Sequence, residues 1–394
     1  MTLQVTEHSV AGWQAFANEA SFVADPMILR VGEVFANGAK GTRALGASDM
    51  EVMAALRENI GGLVEFFDLV VAYDRMPLIN YEYTYDIDSV PVQLAALLGE
   101  KALPVNIGYQ AYELVKKGAL KSLAAMDLGR IAQFGHELAE LDALRYQWKP
   151  SLDDAKGMGW PAQAALLDPP TQRAVHFLLG GLIFSGFAQA SLTEHIIQPK
   201  RSRFYLALTA APPTAGGVTH GEEEAVFTAA EHGLRGTSAT ARRLQALPPV
   251  LPYLLSKAPD RVTAADLLKR ALDFANTKEG AAYREAHALI RGDGAQAART
   301  VDLAKTAKAQ AQALLTPFSK PADGEGGLKV EASVDMHALK LSASKTLTVP
   351  AWLNLWWNID TPFGGLRKTF RRMWLASESY EELEKRLITA WAQA

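Results

Sequence analysis

Ala174-Val175-His176-Phe177-Leu178-Leu179-Gly180-Gly181-Leu182-Ile183-Phe184-Ser185-Gly186-Phe187-Ala188-Gln189-Ala190-Ser191-Leu192 is the one long apolar stretch in this chain. Whether it crosses a membrane or fills a core decides the fold. A span needs about 20 strongly apolar residues. Here His176, Ser185, Gln189 and Ser191 interrupt the run. Asp168 followed by Pro169 and Pro170 marks a helix start, since an aspartate can cap the first turn and proline lacks only an N–H that has no partner there. Gly180, Gly181, Ser185 and Gly186 leave room for a second helix to approach closely. The stretch predicts a buried central helix and no transmembrane span.

A body able to bury that helix is consistent with the composition. The chain has 394 residues, 49% hydrophobic and 21% charged, which is globular rather than disordered. The formal net charge of -3 argues against a general nucleic-acid coat. The absence of cysteine excludes disulfides, thiolate zinc sites and cysteine nucleophiles, and fits a reducing compartment. Residues 1–15 lack the basic segment and apolar run of a secretory signal. A cytoplasmic location is therefore expected, and the alanine-rich helices suggest a bacterial gene.

Outward from the central helix, Lys149 to Pro170 is a proline-rich connection and Ser319 to Gly327 a polar one. They divide the chain into an N-terminal α/β region, 1–149, a helical region, 150–317, and a hairpin with C-terminal helices, 318–394. Ser48 with Glu51 and Thr263 with Asp266 read as capping boxes opening helices. Ser379 with Glu382 opens a last helix, with Leu383, Leu387, Ile388 and Trp391 as its buried stripe. Residues 90–148 read as helical, with Leu128, Ile131, Phe134 (or Gly135), Leu138, Leu141 and Leu144 as the clearest stripe. Met27–Phe35, Leu69–Tyr73, Leu78–Ile87 and Phe204–Ala210 read as strands, and Lys200-Arg201-Ser202-Arg203 as a basic loop. Leu328–Val334 and Leu339–Val349 alternate and read as a hairpin. The expected class is helix-dominated α+β, a multi-helix core with short β-hairpins.

Two stretches gather charge. From Asn80 to Asp88 the residues alternate, with Glu82, Asp86 and Asp88 on one side and Tyr81, Tyr83, Tyr85 and Ile87 on the other, while Asp74 stands in the preceding turn. Carboxylates that converge either raise one another's pKa or hold a cation. At a rise of about 3.3 Å per residue, Glu82 and Asp88 cannot share an ion on a straight strand, but Asp86, Asp88 and Asp74 form a candidate group. The ordinary alternative is a solvated strand face. The second stretch, residues 366–374, is a basic amphipathic helix with Arg367, Lys368, Arg371 and Arg372 on one side and Leu366, Phe370, Met373 and Trp374 on another. It suits nucleic acid or anionic lipid, or simply pairs with the glutamates at 378–384.

No motif names an activity. His136-Glu137 followed by Glu140 lacks the second histidine of a zinc-protease helix, and the other histidines have no ligand spacing. Neither a P-loop, a nucleophile elbow nor a dinucleotide fingerprint is present. Catalytic and metal-binding residues are thus unassigned, and no cofactor is expected. The leading expectation is a non-catalytic binding or regulatory protein that acts on a protein partner through its surface. The alternatives are a hydrolase, metal-assisted, using the acidic strand, and a peripheral membrane or nucleic-acid binder using the basic helix.

Overall fold

The computed structural model describes residues 7–8, 22–44, 48–81, 90–107, 109–124, 126, 128–144, 168–191, 193–209, 247–259, 261–291, 334–335, 340–341, 373 and 380–393. They form a helix-dominated α+β body around short parallel strands. The strands are β1 (Glu7–His8), β2 (Phe22–Ala24), β3 (Met76–Tyr81), β4 (Ala102–Ile107) and β5 (Glu194–Ile196), with β6 (Val334–Asp335) and β7 (Lys340–Leu341) apart from them. The helices are α1 (Pro26–Ala44), α2 (Asp49–Glu58), α3 (Ile60–Ala72), α4 (Val90–Leu98), α5 (Tyr109–Ala124), α6 (Leu128–Phe134), α7 (Glu140–Ala143) and α8 (Pro169–Ala190). They continue with α9 (Pro199–Thr209), α10 (Val250–Ser256), α11 (Ala264–Ala275), α12 (Lys278–Arg291) and α13 (Tyr380–Ala392).

Strand β4 pairs in parallel with β1 on one side and β3 on the other, in the order β1-β4-β3. Strand β2 pairs in parallel with β5. The two fragments meet where β2 lies against β3, with Phe22 packed on Tyr73 at a ring separation of 3.9 Å. Pro77 is tolerated because β3 is an edge of its hydrogen-bonded ladder. The chain winds outward through β2, β3 and β4 and then returns to place β5 on the far side of β2. In open parallel sheets the crevice at the carboxyl ends, where this winding reverses, is the usual ligand position.

The apolar stretch that opened the sequence is α8. The Asp168 carboxylate accepts from the Thr171 N–H at 2.7 Å, and residues from Ala174 to Phe187 are largely buried. No helix among the described residues is long and apolar enough to cross a membrane. The glycines do what their size allows. A Cβ at Gly181 would overlap Arg201 and Tyr205 of α9, and one at Gly186 would lie 2.6 Å from Val115 of α5. The second buried helix is α3, covered on almost every side. Gly32 of α1 crosses it so closely that a Cβ there would stand 2.5 Å from the Phe66 ring. Side chains from all three sequence regions, Phe22 through Trp391, join one continuous hydrophobic cluster.

Both inner capping boxes form, at Ser48 with Glu51 and at Thr263 with Asp266. The last helix opens at Tyr380 and buries Leu383, Leu387 and Trp391. The hairpin closes with Val334 opposite Leu341 and Asp335 opposite Lys340. Other expectations are corrected. Met27–Phe35 lies in α1, Leu69–Ala72 ends α3, and Phe204–Thr209 belongs to α9, as does the basic run Lys200–Arg203. Short apolar runs cannot be told from buried helix by periodicity. Residues 90–144 are interrupted by β4, and the stripe from Leu128 to Leu144 is broken into α6, a 3-10 turn and α7. The break falls at Gly135, which lies against the Pro170 backbone with no room for a side chain. The principal strands pair in parallel rather than as hairpins, since each is separated from its partner by helices.

Candidate functional site

At the reversal point the chain places charge. Each of β2 and β5 ends and turns into a helix through an X-Pro step: Asp25-Pro26 opens α1, and Gln198-Pro199 opens α9. Proline at the first helical position makes the residue before it a natural cap. Asp25 takes that role twice. One carboxylate oxygen accepts from the Met27 N–H at 2.9 Å, and the other accepts from the Gln198 N–H at 3.2 Å and from the Arg201 guanidinium. Both side chains of the Asp25–Arg201 pair are fully buried. The guanidinium also lies over the Phe177 ring, 4.2 Å from its centroid. Gln198 continues the network, accepting from the Arg201 N–H at 2.8 Å and donating to Asn59 at 3.1 Å, while Asn59 donates to the Ala55 carbonyl at 2.9 Å.

Two helix N-termini thus converge where an anion would be favourable, and the anion there is the protein's own carboxylate. Asp25 accepts from the Met27 and Gln198 N–H groups, and Arg201 neutralises it. This arrangement joins β2, β5, α1, α3 and α9.

Beside it, on α8 and β5, Ser185 Oγ lies 2.7 Å from His195 Nδ1. Burial pushes the His195 pKa down to about 4, against the pull of Asp25 and helped by the Arg201 charge. The imidazole is therefore neutral over the ordinary pH range, and its buried Nε2 has no hydrogen-bond partner among the described residues. A serine and a histidine in contact are the beginning of a nucleophile–base pair. Among the described residues no third group orients the histidine, and the low pKa makes the imidazole a weak base.

Of the residues selected from the sequence, only Asp74 lies among the described residues. Asp74 stands at the amino end of β3, 87% exposed, with its Oδ1 3.5 Å from Arg284 Nε. Strand β3 then runs roughly 17 Å, at ~3.3 Å per residue, from its amino end to Tyr81. Glu82, Asp86 and Asp88, and Arg367, Lys368, Arg371 and Arg372 of the basic helix, lie outside the described residues; Met373 beside them is buried. Among the described residues no group of His, Asp and Glu is placed to hold a metal ion.

At the carboxyl end of the ladder, β3 and β4 finish in register, Tyr81 opposite Ile107 and Asn80 opposite Asn106, with Glu7 of β1 opposite Asn106 as well. Glu82 follows Tyr81 directly, and Tyr109, 51% exposed, begins α5 two residues after Ile107. Sequence reading missed Asp25, Gln198, Arg201, Ser185 and His195. Only the X-Pro steps after short β-prone runs hinted at the first two. Set against known proteins, the chain matches no family model, no curated protein and no solved structure.

Proposed function

We propose that the chain is a non-catalytic, regulatory binding protein of the cytoplasm that takes a basic surface of a protein partner at the carboxyl edge of β1-β4-β3. The observation that supports this reading is the shared exit of β3 and β4. Tyr81 and Ile107 are opposite one another, so the position before Glu82 in the sequence neighbours the strand end that leads to the exposed ring of Tyr109. Carboxylates steer a cationic partner, and tyrosine supplies a rigid contact with a polar tip. The carboxyl ends of β2 and β5 are occupied by the Asp25–Arg201 pair, which favours recognition at the carboxyl ends of β3 and β4 instead. The cysteine-free composition supports the location.

The test compares wild type with the triple variant Glu82→Gln, Asp86→Asn, Asp88→Asn. Titration calorimetry with a short lysine peptide at low salt should show binding by wild type, weakening as salt rises, and its loss in the variant with unfolding unchanged. A wild-type protein silent towards the peptide at low salt removes this reading. Stabilisation by magnesium or calcium, lost in the same variant, would replace it with the metal-assisted hydrolase.

A further inference from the structure

Strands β3 and β4 keep an apolar pattern that breaks at one level only. In a parallel sheet covered on both faces, strands read as nearly continuous apolar runs. One face of the pair follows this rule through Met76 beside Ala102 and Leu78 beside Pro104, and Met76 and Leu78 are buried. Two residues on, the same face has Asn80 beside Asn106, and β1 places Glu7 beside Asn106 from the other side. The opposite face stays apolar over this length, as Pro77 beside Leu103 and Ile79 beside Val105. Ile107, one step past Asn106, is still buried, so the polar row falls where the sheet remains covered.

A local departure from the pattern of a fold is expected where residues serve a ligand rather than the core. The row crosses three adjacent strands, a width of roughly 10 Å at the usual strand spacing. It lies at their carboxyl ends, where ligands meet parallel sheets. Tyr109, 51% exposed, opens α5 three residues after Asn106.

We infer that this row is the anchor for an arginine side chain of the partner, with Glu7, Asn106 and Asn80 as its acceptors and Tyr109 as its aromatic neighbour. The inference rests on the reading that this edge receives a basic protein surface, and it names the residue that the surface presents. Glu7 gives the row one negative charge, and no lysine or arginine stands in it, so a cation is preferred to an anion or a neutral polyol. Two carboxamides beside a carboxylate supply acceptor oxygens at successive positions across the sheet. A guanidinium presents five N–H donors in a planar fork and stacks on aromatic rings, whereas an ammonium is a compact point charge. Acceptors spread over three strands suit the fork.

The experiment is titration calorimetry on the full chain at low salt, with two peptides of equal length and charge, one all lysine and one with a central arginine in place of a lysine. Wild type should bind the arginine peptide several-fold more tightly. Asn80→Leu with Asn106→Leu, which extends the apolar pattern, should bring the ratio of the two affinities close to one. Glu7→Gln, at the edge of the sheet, should do the same and carries the test alone if the double variant fails to fold. Tyr109→Ala should lower the ratio. The triple variant of the acidic segment should weaken both peptides alike, which separates the anchor from general charge attraction. Equal affinities of wild type for the two peptides, or a ratio indifferent to Glu7→Gln, would overturn the inference and leave the broader reading standing; silence towards both peptides removes both. N-acetyl-arginine amide bound as tightly as the arginine peptide would overturn the assignment to a protein side chain.

Discussion

Arg201 and Asp25 meet across 176 residues of chain, and neither retains any contact with water. Such a pair does not stabilise by Coulomb attraction alone, because two charges have been stripped of solvent. It persists when the remaining donors and acceptors are satisfied. Here the carboxylate has three donors, from Met27, Gln198 and Arg201. Arg201→Met should therefore cost about 3–5 kcal/mol in denaturant unfolding, since a buried carboxylate is left uncompensated, and the double variant with Asp25→Asn should recover part of that loss. His195 supplies a second measurable consequence. Its folded pKa, near 4, lies below the unfolded value of 6.5, so the unfolded chain binds the extra proton between the two. Stability is full above about pH 6.5 and falls as pH drops towards 4, by up to roughly 3 kcal/mol from this residue. His195→Gln should flatten that slope in a pH series of urea melts; an unchanged slope would assign the acid sensitivity elsewhere. None of these partners was legible from the sequence. Arg201 sits in a basic run that resembles a solvated loop, and only the fold brings Asp25 to it.

Where an element is specified by local chemistry, its residues announce it. Thr263 accepts from the Asp266 N–H at 3.1 Å, and the Thr263 N–H donates back to Asp266 at 3.3 Å. Both partners lie three positions apart, so sequence alone reveals the motif. Thr263→Ala should cost about 1 kcal/mol through loss of this cap, read as a small drop in thermal midpoint. Helix α8 was legible in the same way, from its Asp-Pro-Pro start and its small residues. Gly181 then makes a sharper prediction: alanine there must displace Arg201 and Tyr205. Overpacking of this kind costs typically about 1–3 kcal/mol, and the disturbance should reach Phe177 and the Asp25 network on the other side of Arg201. The elements misread were those set by tertiary context. The end of α3, Leu69-Val70-Val71-Ala72, is β-branched and apolar, and buried on all sides it carries no amphipathic period to mark it as helix. The end of α9, from Phe204, was read as a strand for the same reason, although Phe204 packs onto Phe134 and Phe177. The pairing of Tyr81 with Ile107 was not legible, because the register of β3 against β4 depends on the helix between them.

At the scale of the molecule, the C-terminal helix α13 returns to pack against α1, α2, α10 and α11. Trp391 is fully buried there, and its indole N–H finds no acceptor among the described residues. Trp391→Ala should cost about 3–5 kcal/mol. Trp391→Phe should cost much less, because the indole N–H it deletes has no acceptor among the described residues. Since the core is continuous from Phe22 to Trp391, the loss in Trp391→Ala should lower a single cooperative transition rather than melt the last helix alone. Two separated transitions in calorimetry would show that α13 is a detachable unit. The pairing of β2 with β5 also bears on synthesis. At ribosomal rates of about 5–20 residues per second, a nascent β2 waits on the order of ten seconds or more for its partner strand to be made. Throughout that interval the edge meant for β5 is an open template, and the Asp25 carboxylate has no guanidinium to receive it. A messenger that slows decoding ahead of residue 194 would lengthen that exposure, and chaperone capture of the unfinished polypeptide should rise with the delay.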